Sequence, residues 1–70
     1  MRIVSQNRGR SVEFNSSVLL VDFKTIYART AGQDLVLGEY GTPSRATEIF
    51  KTIHDAADRF TSETYYMPEE

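Results

Sequence analysis

One stretch of this chain repeats its apolar residues with the period of a helix. Ala46, Ile49, Phe50, Ile53, Ala57 and Phe60 recur at spacings of three and four, which places them on one face. Thr42-Pro43 stands before the stripe as an N-cap followed by proline at the first helical position. Thr61-Ser62 fits a stop. Glu48, Lys51, Thr52, Asp55, Asp58 and Arg59 lie largely off the stripe, and Asp55 and Arg59 are spaced for an i,i+4 ion pair. The spacing predicts one amphipathic helix over about residues 43–60. A single such helix is not stable bare, so the rest of the chain must supply the layer that buries its stripe.

The rest reads with period two. Ile3 and Val4 open a β-leaning segment, and Asn7-Arg8-Gly9-Arg10 supplies turn chemistry. Val12 and Phe14 alternate with Ser11 and Glu13, the pattern of a half-buried strand. After a turn at Asn15-Ser16-Ser17, the apolar run from Val18 to Phe23 reads as the central strand, with Lys24-Thr25 as a tight connection or a bulge. Ile26, Ala28 and Thr30 alternate with Tyr27 and Arg29. Ala31-Gly32-Gln33-Asp34 closes a hairpin onto a strand over 35–40, where Gly38 suggests a bulge or a close backbone approach. The expected fold is α+β: one domain, with a short antiparallel sheet of four to five strands over about 1–41, a C-terminal helix, and an extended tail over 61–70.

Stability is a constraint on a chain of 70 residues with no cysteine. A domain this small buries only about 60% of the surface its unfolded chain exposes. No disulfide and no Cys/His cluster can staple it, which leaves packing or self-association. The lack of cysteine fits a reducing cytoplasm. The longest apolar run, Val18-Leu19-Leu20-Val21, is far shorter than a membrane span, and no membrane partner is expected. The net charge of −2 divides into +3 over residues 1–30 and −5 over residues 31–70. That asymmetry can guide partner choice, but it lacks the clear basic excess of a duplex-DNA binder.

No constellation of side chains points to catalysis. His54, the one histidine, has Asp58 a turn further on, yet no nucleophile is identifiable beside them. The carboxylates have no metal-ligand spacing, the glycines form no phosphate loop, and no cofactor is expected. Thr42 and Arg45 at the helix start form at most a weak anion site, with capping as the simpler role. Tyr27, Arg29 and Tyr40 are expected together on the sheet face that the helix leaves bare, beside Val36. Three roles stay open for that face: a protein interface, where Tyr and Arg are enriched; a surface covered by the tail; or a nucleotide platform. The tail residues Tyr65, Tyr66 and Met67 are apolar where a tail is ordinarily polar. They read as a short edge strand that Pro68 ends, paired in cis or in trans.

Three stretches carry a resemblance. The opening Met1-Arg2-Ile3-Val4-Ser5-Gln6, the middle Ile26-Tyr27-Ala28 with Leu37-Gly38-Glu39-Tyr40, and the ending Tyr66-Met67-Pro68-Glu69-Glu70 together resemble a group of small, functionally unassigned proteins of phages and prophages of Gram-positive bacteria. Those proteins carry an MRIISQ-like start, an EYST-like step into a helix, and a short acidic tail containing Met-Pro. This chain departs from them at Gly41 and Pro43, where serine and an acidic residue are expected. The resemblance implies a mobile-element protein made in the cytoplasm of a bacterial host. It brings no active residue with it.

The function expected from these observations is non-enzymatic binding through a self-associating sheet surface, with a host defence protein as one kind of target. A homodimer or higher closed oligomer is the expected state. The alternative is a nucleotide or nucleic-acid binder, such as a sponge for a signalling nucleotide. The candidate contact residues across these alternatives are Arg2, Arg8, Arg10, Tyr27, Arg29, Tyr40, Arg45, Tyr65 and Tyr66.

Overall fold

The computed structural model describes residues 1–59 and 63–70. The expected helix end at Phe60 and the stop at Thr61-Ser62 lie outside the described residues. The described chain forms strands β1 (Arg2–Val4), β2 (Ser11–Glu13), β3 (Val18–Asp22), β4 (Thr25–Thr30) and β5 (Gln33–Glu39), then helix α1 (Pro43–Arg59), then strand β6 (Thr64–Tyr66). The class is α+β, as its periodicities indicate, but the strands make two three-stranded sheets. One has the order β3-β4-β5 and the other β2-β1-β6.

The β3-β4-β5 sheet is an antiparallel meander with two-residue turns. Ala31 at φ 51° and Gly32 at φ 78° close the second hairpin, the pair of positive φ values whose twist suits a tight turn between strands. The first turn is Phe23-Lys24, one residue earlier than expected, with Phe23 at φ 55°. β3 is an edge strand. The centre belongs to β4, whose Ile26 and Ala28 are fully buried, because β4 alone is flanked on both sides.

In β5 the register against β4 slips by one residue. Tyr27 lies opposite Val36, whereas Ile26 lies opposite Gly38. The extra residue, Leu37, is a β-bulge, and it reverses the alternation of faces beyond it. Leu37 stays on the inner face with Leu35, and Tyr40 beyond the bulge consequently turns to the interior with only 4% of its surface exposed. The expectation that Tyr40 shares the outer face with Tyr27 and Val36 is thereby corrected.

α1 starts as its sequence indicates. Thr42 Oγ1 accepts the Arg45 amide at 3.1 Å and so satisfies one of the unpaired N–H groups of the first turn. Ala46, Ile49 and Ile53 are buried against β3 and β4. The expected Asp55–Arg59 pair is absent: among the described residues the ion pairs are the Met1 amine with Glu13, Arg29 with Asp34, and Arg45 with Glu48.

The second sheet joins the two ends of the described chain. β1 pairs β2 antiparallel and β6 parallel. This corrects the expectation of one wholly antiparallel sheet of four to five strands: there are six strands among the described residues, and the tail forms the short edge strand that its apolar residues suggest. Parallel neighbours need a long crossover, and here the crossover is everything from β2 to α1. Ile3 and Met67 from this sheet and its flank, with Ile26, Leu37, Ile49 and Ile53, form one core shared by both sheets.

Candidate interaction surface

The candidate residues divide between two places. The first is a clasp around the tail. Arg8 Nη1 donates to the Met67 carbonyl at 2.8 Å, and its guanidinium lies 5.3 Å from the centre of the Tyr66 ring. Tyr40 Oη donates to the Pro68 carbonyl at 2.8 Å. Gln6 Nε2 donates to the Glu69 oxygen at 2.7 Å, and Arg45 Nη2 and Nε donate to the Glu70 oxygen at 2.8 and 3.1 Å. Four successive main-chain oxygens are thus each held by a different side chain, two from the β1–β2 loop, one after β5 and one from α1. The tail pairs in cis, and it does not lie over the outer face of the meander.

Tyr40 is the keystone of the clasp. A Cβ at Gly38 would stand 2.7 Å from Tyr40 Oη, so the ring passes directly over that glycine. This is the close approach that a glycine within a strand suggests. Burial pushes the Tyr40 phenol up to about 12, with Tyr65 adding to the rise and Arg45 and Arg8 opposing it. Tyr65 is raised by burial as well. Gln6, which sequence reasoning did not single out, ties the two sheets together. Its amide N–H donates to the Leu37 carbonyl at 2.7 Å. Its side-chain oxygen accepts the Glu39 N–H at 3.0 Å, and its side-chain nitrogen donates to the Glu39 carbonyl at 3.0 Å.

The second place is the outer face of the meander. The register puts Val18, Leu20 and Asp22 of β3 beside Arg29, Tyr27 and Thr25 of β4 respectively, with Val36 and Asp34 of β5 beyond Tyr27 and Arg29. Val18 is 57% exposed and Val36 is 47% exposed, and Leu20 and Tyr27 are half-buried between them. Arg29 Nε and Nη2 donate to Asp34 at 2.8 and 3.2 Å, a pairing that lowers the Asp34 pKa and raises that of Arg29. At the hairpin tip Phe23 is 69% exposed. Its positive φ is costly for a bulky side chain, on the order of 1 kcal/mol, and the Lys24 ammonium lies 5.4 Å from the centre of the ring.

The remaining candidates do not converge. Arg2 donates to Ser11 Oγ at 3.1 Å, Arg10 is exposed on the β1–β2 loop, and Arg8 and Arg45 are engaged with the tail. Neither of two surface hollows, about 460 Å³ along Pro43, Thr47 and Lys51 and about 190 Å³ beside Phe14 and Asp58, is lined by any of the nine candidates. His54 turns its Nδ1 to the Phe50 carbonyl at 2.9 Å and lies against the Phe14 and Phe50 rings rather than meeting Asp58. No helix among the described residues is long and apolar enough to cross a membrane.

Val36 is on the outer face as its alternation indicates, whereas Val18, Leu20 and Phe23 escape sequence reasoning because the run Val18–Phe23 reads as a central strand. The signal available was the alternation of Val18, Leu20 and Asp22 against Leu19 and Val21. Comparison with known proteins adds no family: no family model, curated protein or solved structure matches the chain.

Proposed function

We propose that this chain is a non-enzymatic binding protein that acts through its meander sheet, by self-association and by engaging a bacterial protein. The observation that carries this reading is the outer face built from Val18, Leu20, Tyr27 and Val36. It is apolar at its centre, bounded by the Arg29–Asp34 pair, and left bare by both the helix and the tail. An apolar centre with tyrosine and a polar rim is the anatomy of a protein interface. The resemblance to phage and prophage proteins supports a target in the bacterial host, and a host defence protein blocked by occlusion fits a chain that works without chemistry of its own.

The test compares immobilised unmodified protein with a Val36→Lys variant in extract of a Gram-positive host. The charge interrupts the outer face at an exposed site. A specific protein retained by the unmodified chain and released by Val36→Lys supports the reading. Identical retention by both sinks it.

A further inference from the structure

The exposed sheet has an open edge as well as a bare face, and the edge specifies more about its occupant. Its two edge strands are treated differently. Along the C-terminal half of β5, Gln6 bonds to the Leu37 carbonyl and to both main-chain groups of Glu39, so a loop residue stands where a further strand would pair. Along β3 nothing comparable occurs. Among the described residues, no hydrogen bond from outside its own sheet reaches any backbone group of Val18–Asp22. The segment Val-Leu-Leu-Val-Asp contains neither the lysine nor the proline that commonly guards an edge. At five residues it is also longer than β2 or β6, the edge strands of the other sheet.

We infer that β3 pairs antiparallel with β3 of a second copy about a two-fold axis at Leu20, joining two meanders into one six-stranded sheet. The inference rests on the proposed self-association and names the strand and register that produce it. Three features select a second copy. First, antiparallel pairing centred on Leu20 is self-complementary, so one operation satisfies both edges and closes the assembly. Second, it sets the two Leu20 side chains opposite each other on the outer face. The row Val36–Tyr27–Leu20 then continues into its own mirror row, forming one apolar stripe across six strands that neither copy can make alone. Third, the charges agree. Asp22 of one copy falls opposite Val18 of the other, in line with Arg29 one strand further on. With strands about 4.8 Å apart, carboxylate and guanidinium are brought within reach of long side chains at both ends of the new pair.

Hydrogen–deuterium exchange of the unmodified protein, followed from nanomolar to high micromolar concentration, tests this. The expected result is slowing that grows with concentration and falls on Val18–Asp22. Sedimentation of two variants complements it. Leu20→Lys places two like charges opposite each other and should weaken the dimer by about tenfold or more, whereas Val36→Lys, two strands from the axis, should change it by less than about threefold. Concentration-dependent protection on other strands overturns the inference, as does a dimer broken by Val36→Lys and spared by Leu20→Lys, or a chain monomeric throughout. If Leu20→Lys does not fold, the exchange pattern of the unmodified chain still decides. Failure here is distinct from failure of host-protein binding, which is read from retention on the immobilised chain.

Discussion

The two sheets of this small domain are stabilised in different ways. The meander comes from one contiguous stretch, Val18–Glu39, folded through two-residue turns. Its inner face is sealed by α1, with Ile26, Ala28 and Leu37 almost wholly buried. Its outer face and the β3 edge are left open. The terminal sheet pairs β1 with β6, from the opposite ends of the described chain, through strands of three residues each. Strands so short supply few ladder bonds. The deficit is made up by side chains: Arg8, Tyr40, Gln6 and Arg45 on the tail carbonyls, and Ser5 and Asn7 within the β1–β2 loop. The sheet whose tail and loop are held by side chains acts as scaffold. The sheet that leaves apolar surface and backbone groups bare is the one available to a partner.

The largest expected effect breaks what the sheets share. Ile53 is fully buried in the common core, and Ile53→Ala should cost about 2–5 kcal/mol. In a domain of this size that threatens folding altogether, as read from a denaturation midpoint. Loss of structure in one sheet only would show that the sheets do not share a core.

A smaller effect is expected from Gly38→Ala, which strikes the junction. The new methyl would meet the Tyr40 hydroxyl and ring at 2.7 to 3.0 Å. Because that ring is buried and tied to Pro68, overpacking of about 1–3 kcal/mol is expected. A neutral change would mean that Tyr40 can leave the clasp freely.

The same tyrosine gives a pH dependence. Its phenol is raised from 10.0 to about 12 in the folded chain, so the folded state holds a proton that the unfolded state has released. Stability from this group is complete below pH 10.0 and declines as pH rises toward about 12, by on the order of 2 kcal/mol. Tyr65 shifts in the same direction and adds to the decline. In Tyr40→Phe the alkaline loss should shrink to what Tyr65 and the other groups contribute. An alkaline profile identical to that of the unmodified chain would remove Tyr40 from the account.

The smallest effect on stability should come from the outer face. Val36 is exposed, and Val36→Lys should alter the unfolding free energy by no more than about 0.5 kcal/mol, measured on the unassociated chain. A larger loss would make the outer face part of the scaffold and erase the contrast between the sheets.

Much of the meander was legible in the sequence because its information is local. Alternation marks β4, Ala31-Gly32 marks the turn, and the Thr42 cap with the Ala46–Ile49–Ile53 stripe marks the helix and its buried face. What was not legible depended on registers and long-range pairings. A single extra residue at Leu37 sends Tyr40 inward, and nothing in the local pattern announces it beyond Gly38. The parallel pairing of β6 with β1 depends on how the whole intervening chain packs. For the candidate site, the arginines and tyrosines could be chosen by type, but their partners could not. Three of the candidates, Arg8, Tyr40 and Arg45, are used up on the protein's own tail, and the exposed face that Tyr27, Arg29 and Val36 mark is extended by Val18, Leu20 and Phe23, which look like ordinary core in sequence.

The central claim is that the open β3 edge of the meander is paired with another copy of the chain. Light scattering of the purified protein at micromolar concentration tests it most directly. The account expects a mass twice the 8.0 kDa of the single chain. A clean single-chain mass across the micromolar range would contradict it.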